Sequence, residues 1–385
     1  MTAARFERAA IGNLVAAIAT IIVSDVAFGL TYPLLNLRLE EAGTDAFLIG
    51  LNSAMTPLGI VLFGPFVPGL ARRFGEKQMA FAALVTIAAC LALFPLYPTY
   101  GAWIVIRFVL GIANVTLYSL SEAWVMQFAP DNVRGRVAAI YASVLALAFS
   151  LGPFMLPFTG IHGFLPFGIA IVVVAMSFVP LALITLQSDG HDDGDGNVFA
   201  FVKKAPLLVF AVGTMTLFDG VMLAFFPIFG LRNGLDVGTA AWALGVMIAG
   251  NVFLQYPIGW LADHWSRKGV IWCAAIVTPV LALLLPYAVT SWLIWPLAFF
   301  LGGGAYAVYT VALAVLGDNF RGQELIAGST VFGAMWGVGG IIGPPIAGLA
   351  LDRYGPDGIS WVLAAFYVIL IVGLLVTRGS LVRTA

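Results

Sequence analysis

The sequence predicts an all-α membrane protein of twelve transmembrane helices arranged as two pseudo-symmetric six-helix bundles. Of its 385 residues, 61% are hydrophobic and only 10% charged, against about 25% charged in an ordinary soluble domain. Apolar runs of about 20 residues, the length that crosses a hydrocarbon layer roughly 30 Å thick, recur twelve times. The last six runs also repeat features of the first six in the same order.

Bounded by charged residues and by Gly or Pro breaks, the first six spans fall at roughly 10–32, 47–70, 78–97, 100–128, 137–158 and 163–186. The second six fall at roughly 206–230, 239–262, 269–289, 291–317, 325–351 and 358–377. The hydrophilic stretch between the sets, Ser188-Asp189-Gly190-His191-Asp192-Asp193-Gly194-Asp195-Gly196 within 188–204, has the composition of a solvated linker. The expected domains are therefore a bundle over 1–187, the linker, and a bundle over 205–385. The first apolar run has no small-residue cleavage site and is followed by many more, so it reads as a retained helix.

Orientation follows from the basic residues. With the N-terminus cytoplasmic, that side holds Arg5, Arg8, Arg72, Arg73, Lys77, Arg134, Arg136, Lys203, Lys204, Arg267, Lys268, Arg321, Arg378 and Arg383, fourteen in all. The opposite side holds Arg38, Arg232 and Arg353, and Arg107 lies inside a helix. Such a bias places both termini and the linker in the cytoplasm of a bacterial inner membrane.

The duplication shows in spacing. Asp25, Pro33 and Arg38 recur as Asp219, Pro227 and Arg232. Phe94-Pro95-Leu96-Tyr97 faces Leu285-Pro286-Tyr287, Asp131-Asn132-Val133-Arg134-Gly135 faces Asp318-Asn319-Phe320-Arg321-Gly322, and Gly152-Pro153 faces Gly343-Pro344, all at offsets of 187 to 194. Two parallel repeats joined by a cytoplasmic linker imply a pseudo-twofold axis along the membrane normal and a cavity near midplane.

Four ionisable residues fall within predicted spans: Asp25, Arg107, Glu122 and Asp219. Each costs about 2.5 to 3.5 kcal/mol near a helix centre, which makes a cavity, a pair or a relay the default reading. Asp25 lies about seven residues before the predicted far end of the first helix and Arg107 about seven after the start of the fourth. They are expected at similar depth, where a pair is geometrically possible; one reading of it is a permanent ion pair joining two helices. Asp219 has no arginine opposite it in the tenth helix, where Tyr306, Tyr309 and Thr310 stand. A lone intramembrane aspartate can load and release a proton, or it can cap a broken turn or bond a tyrosine. Glu122 follows Arg107 by fifteen residues, within about 60° of the same face and about 22 Å deeper. It could receive a proton or a cationic group, or snorkel to water at the helix end.

Phe28, Tyr118, Trp124, Tyr306, Tyr309 and Trp336 suit a planar or partly apolar solute, core packing being the alternative for each. Asn52 and Asn251 are polar candidates in the second and eighth helices. Trp103, Trp292 and Trp361, near predicted ends, are expected in interfacial belts. Met215 and Met222 flank Asp219 and raise copper(I) carriage, since soft metals take thioether ligands, but two methionines at this spacing more often fill a core. No metal site or cofactor is expected. The three histidines lie outside the spans, so no nucleophile and base pair forms within the membrane and an enzyme is disfavoured. Short loops and a net charge of -1 exclude a nucleic-acid partner. Cys90 and Cys273 lie in apolar runs of different halves and read as packing residues.

Gly259-Trp260-Leu261-Ala262-Asp263-His264-Trp265-Ser266-Arg267-Lys268 follows the second span of the second set, and Gly69-Leu70-Ala71-Arg72-Arg73-Phe74-Gly75-Glu76-Lys77 holds the same place in the first. With Arg107 and Gly111 spaced as Arg-x-x-x-Gly, these segments resemble the loop and fourth-helix motifs of the major facilitator superfamily, and the resemblance covers essentially the whole chain. It implies alternating access by a secondary transporter. Helices one, four, seven and ten would line a central cavity in which Asp25 and Arg107 bind substrate or exchange a proton. Gly69, Arg73, Gly75, Gly259, Asp263 and Arg267 would form the gating loops. The first copy carries Arg72 where the family has the acidic residue of its cytoplasmic latch. A motif linked to exporters is partial around Gly152-Pro153 and better matched over 339–348, which leaves direction open. The expectation is a proton-coupled carrier of a small organic, aromatic or amphiphilic solute, working as a monomer in the bilayer. Drug export, a metal carrier and a sensor on a transporter fold remain alternatives.

Overall fold

In a computed structural model of the chain, which describes residues 3–129, 134–185 and 198–377, every regular element is a helix. Without water in a bilayer, backbone groups must be satisfied within their own segment, and helices do so. Twelve are long and apolar enough to cross a membrane. The first six are α1 (Ala3–Glu41), α2 (Ala46–Phe74), α3 (Glu76–Leu96), α4 (Tyr100–Phe128), α5 (Arg134–Thr159) and α6 (Leu165–Leu183). The others are α7 (Pro206–Arg232), α8 (Val237–His264), α9 (Arg267–Ala288), α10 (Ile294–Asn319), α11 (Gly322–Tyr354) and α12 (Gly358–Val376). A short helix, Val198–Lys204, precedes α7. The linker from Gln187 to Asn197 and the Asp131-Asn132-Val133 copy of the repeated motif lie outside the described residues.

The ends follow local chemistry. Gly75, at φ +89°, both closes α2 and opens α3, a backbone conformation that side chains with a Cβ rarely adopt. Asp236 caps α8 by accepting the Thr239 amide at 3.0 Å and the Thr239 hydroxyl at 2.5 Å, and these two bonds hold its carboxyl below the usual carboxylate range. Asp236→Ala is expected to lower stability by about 1 kcal/mol, read as a small fall in unfolding temperature in detergent.

The largest departure from the expected boundaries is at the end of the first helix. The first helix was expected to end near 32, yet α1 continues through Pro33 to Glu41. A proline inside a helix removes one hydrogen bond and bends the axis, but it does not prevent the helix from resuming. Leu34, Leu35, Leu37 and Leu39 beyond it are all buried, which favours that resumption.

The chain divides into two compact units, one of residues 1–38 and 55–190, the other of 39–54 and 191–385. In the first unit α2 and α4 meet backbone to backbone. A Cβ on Gly59 would stand 2.4 Å from the Phe108 carbonyl oxygen, and one on Gly111 would stand 2.1 Å from that of Thr56. The second unit repeats this between α8 and α10, where a Cβ on Gly250 would meet the Phe299 oxygen at 2.0 Å and one on Gly302 the Met247 oxygen at 1.9 Å. Small residues at helix contacts allow this approach. Both glycines of the first pair recur 191 positions on.

Residues 39–54 are bound into the second unit by polar and close contacts. Arg232 grips Glu40 through two bonds of 2.6 and 2.9 Å. The Asp352 carboxylate accepts the Ala46 and Phe47 amides at 2.9 and 2.8 Å, which satisfies two open donors at the start of α2. Of the tryptophans expected in belts, Trp292 and Trp361 are exposed, but Trp103 is buried and donates its indole N–H to the Phe94 carbonyl at 3.0 Å. Cys90 is buried as expected, whereas Cys273 is exposed rather than packed.

Candidate functional site

Asp25 is 4% exposed on α1, and its carboxylate accepts the Tyr118 hydroxyl of α4. Arg107, also on α4, is 1% exposed. Its Nη2 donates to Asn36 Oδ1 at 2.6 Å, and its guanidinium lies over the Tyr32 ring at 5.3 Å. The sequence reading placed Asp25 level with Arg107, and the structure corrects that. Asp25 is level with Tyr118 and Asn36 with Arg107. Each step is eleven residues, in opposite directions along two antiparallel helices, so the two charges lie about 16 Å apart in depth. The error came from ending α1 at Pro33, which moved Asp25 toward the wrong membrane face.

The second unit holds the matching arrangement. Asp219 is 6% exposed on α7 and accepts the Tyr306 hydroxyl of α10. Asp25 and Asp219 are 194 residues apart, and Tyr118 and Tyr306 are 188 apart, so the whole aspartate–tyrosine pair is duplicated. The sequence offers a tyrosine of the tenth helix as one alternative partner for Asp219, and the structure makes it Tyr306, whereas nothing in the sequence reading joins Asp25 to Tyr118. The signal was the shared offset, which lies within the window of the other repeats.

Around Tyr306 an aromatic cluster closes. The Trp336 ring lies 6.1 Å from that of Tyr306 and 6.0 Å from that of Tyr309, which in turn lies 6.1 Å from Phe332. Trp336 is 36% exposed and presents an aromatic face. Met215 and Met222, on either side of Asp219, are fully buried.

The remaining candidates are more dispersed. Phe28 packs edge-on to Tyr32 and Phe149, each at 5.6 Å, and borders a small cavity with Ser24, Thr31 and Asn114. Trp124 is fully buried and donates its indole N–H to Glu76 Oε2 at 2.6 Å, while Glu122 two positions earlier is exposed. Asn52 and Asn251 are buried in the second unit; among the described residues neither amide atom of Asn52 is hydrogen-bonded, nor is Oδ1 of Asn251.

The profile of the Major Facilitator Superfamily matches residues 17–232 and again 208–383, which together take in nearly the whole chain. The chain belongs to the major facilitator superfamily. It is 24% identical over 363 residues, 91% of this chain and 93% of the relative, to the uncharacterized MFS-type transporter YfkF of Bacillus subtilis strain 168. It is 21% identical over 364 residues to the uncharacterized MFS-type transporter YcaD of Salmonella typhimurium strain LT2, across 92% of this chain and 93% of that one. Its fold matches the crystal structure of the nucleoside transporter NupG with a TM-score of 0.78 at 12% identity, covering 97% of this chain and 99% of that one. A bacterial homologue of the human lysosomal transporter Spinster matches with a TM-score of 0.73 at 15% identity and 98% coverage of both. The chain is thus a multi-pass membrane transporter of twelve helices.

The superfamily's loop motif takes different forms in the two units. In the second, Arg267 forms an ion pair with Asp318, lies 3.5 Å from Asp263, and donates to the Ala314 carbonyl at 3.0 Å. It thereby joins the loop motif to the repeated Asp318-Asn319 segment. A Cβ on Gly259 would stand 3.8 Å from the Thr310 methyl. In the first unit Gly75 makes the turn, Gly69 faces open space, and the Arg73 guanidinium lies over the Phe74 ring at 5.3 Å. Lys77 donates to the Ala182 and Ile184 carbonyls, both at 2.7 Å. The superfamily's fourth-helix motif also gains a physical meaning, because Gly111 is the position where α4 touches α2.

Proposed function

We propose that the chain is a proton-coupled carrier of a small organic solute that works by alternating access as a monomer, with Asp25 and Asp219 as the proton acceptors. The observation that carries this reading is the duplicated aspartate–tyrosine pair. Among the described residues, neither carboxylate has a basic partner. A buried carboxylate without a counter-charge is poorly stabilised when ionised, and a phenol donor beside it gives a hydrogen bond that responds to the proton's arrival. Both pairs sit on helices expected to line the path in this superfamily, one pair in each unit.

On this reading, the positive-inside distribution of Lys and Arg puts both termini in the cytoplasm of a bacterial inner membrane. The aromatic cluster of Tyr306, Tyr309 and Trp336 favours a solute with a planar or apolar body. That same cluster supports the second reading, proton-driven export of amphiphilic drugs.

The test is solute-driven proton flux in proteoliposomes containing the purified protein, with pooled metabolites and drugs added on one side. A solute-dependent proton signal supports the reading. Solute movement with no proton signal, unaffected by Asp25→Asn or Asp219→Asn, would make the protein a uniporter or a carrier coupled to another ion.

A further inference from the structure

We infer that the α4 face bearing Arg107 and Asn114 binds the anionic group of the transported solute, so that the solute is an organic anion with an apolar body. This rests on the carrier reading above and adds the substrate's charge to it.

The argument is an imbalance of donors. Arg107 is a permanent cation, almost wholly buried, which donates to one neutral acceptor, Asn36 Oδ1, and otherwise meets the Tyr32 ring and the nearby Tyr100. Among the described residues its Nε and Nη1 have no hydrogen-bond partner, and no carboxylate lies within ion-pair distance of it. Two turns along the same face, at i+7, Asn114 Nδ2 is also without a hydrogen-bond partner among the described residues. Asn114 and Ser24 border the same small cavity, whose apolar wall includes Phe28 and Leu110. Leu110 falls between Arg107 and Asn114 on that face.

An orphaned donor in a protein interior is costly, and an orphaned charge more so. A water molecule can accept from these groups, but it leaves the positive charge unbalanced. A carboxylate or phosphonate supplies several acceptor oxygens together with the missing charge, and the guanidinium fork suits such a group. Asp25 does not fill this role, because it lies about 16 Å deeper and is bonded to Tyr118. Phe28 and Leu110 would then meet the solute's apolar part.

The test measures binding alone, so it is independent of proton coupling. Purified protein in detergent is titrated at constant ionic strength with benzoate, nicotinate, phenylphosphonate and succinate, and in parallel with benzyltrimethylammonium and benzyl alcohol. Unfolding temperature and tryptophan fluorescence are the readouts. At least one anion should stabilise the wild type, its affinity should fall at least tenfold in Arg107→Gln, and Arg107→Lys should retain part of it. Asn114→Ala, which keeps the buried cation, should weaken the same anion and gives the answer if Arg107→Gln does not fold. The inference is overturned if no anion binds, if anions bind Arg107→Gln and Asn114→Ala as they bind the wild type, or if only the cationic or neutral probe binds. Loss of proton flux with anion binding intact would sink the coupling proposal and leave this one standing.

Discussion

Asp219→Asn and Asp25→Asn are each expected to reduce solute-driven proton flux in proteoliposomes by roughly 100-fold or more, the scale of losing a positioned proton-transfer group. Asparagine keeps the side chain's size and still accepts the hydroxyl of Tyr306 or Tyr118, so both variants should elute and unfold like the wild type. What they lose is the ability to be ionised. If only one variant fails, one proton site suffices and the other aspartate is structural. Tyr306→Phe tests the pair differently, because it leaves the carboxyl in place without its donor. Loss of one hydrogen bond to a charged group corresponds to about a tenfold effect. A larger effect in the phenylalanine variant than in the asparagine variant would contradict the assignment of the proton to Asp219.

The second large effect concerns packing. Gly302→Ala and Gly317→Ala place the same methyl group on the same helix, α10, and are expected to act in opposite directions. At Gly302 the new Cβ would stand 1.9 Å from the Met247 carbonyl oxygen, an atom fixed in the backbone of α8, so the two helices must separate. A Cβ at Gly317 would meet, among the described residues, no atom within 4 Å beyond its own chain neighbours and helix backbone. Overpacking of this kind costs about 1 to 3 kcal/mol, whereas replacing an unhindered helical glycine by alanine gains about 0.5 to 1 kcal/mol. Unfolding temperatures in one detergent should therefore bracket the wild type. Equal shifts in the two variants would mean that α8 and α10 do not touch at this point in the folded protein. Gly111→Ala in α4, against the Thr56 carbonyl, should repeat the Gly302 result in the other unit.

Much of this could be seen in the sequence because a bilayer restricts what a chain can do. Twelve apolar runs, the six-helix repeat and the isolation of Asp25, Arg107 and Asp219 among apolar neighbours all follow from the cost of polarity in hydrocarbon. The partners of those residues are legible only in part: a tyrosine for Asp219 is among the alternatives, but Tyr118 for Asp25 and Asn36 for Arg107 are not. Pairing depends on the relative depth of two helices distant in sequence, and that depth was misjudged once Pro33 was taken as a terminus. A shift of nine residues at one helix end was enough to suggest an Asp25–Arg107 pair that does not form. Gly302 was overlooked for a similar reason: glycine is so frequent here that its position against a carbonyl is visible only after α8 is placed beside α10. Tyr118 reads from the sequence as an aromatic ring, and its hydroxyl is the atom that meets Asp25.

The opposed numbering of α1 and α4 fixes how this protein can vary. Residues 25 and 118, and residues 36 and 107, each add to 143, so both polar contacts obey a single alignment rule. Single-codon insertions or deletions between 25 and 36, or between 107 and 118, would shift one contact by 100° of rotation while leaving the other in place. Substitutions in those windows should be accepted far more readily than length changes. In a library scanned for transport, the two stretches should therefore tolerate exchange of residues while refusing every change of length, a pattern expected of neither the loops nor the linker.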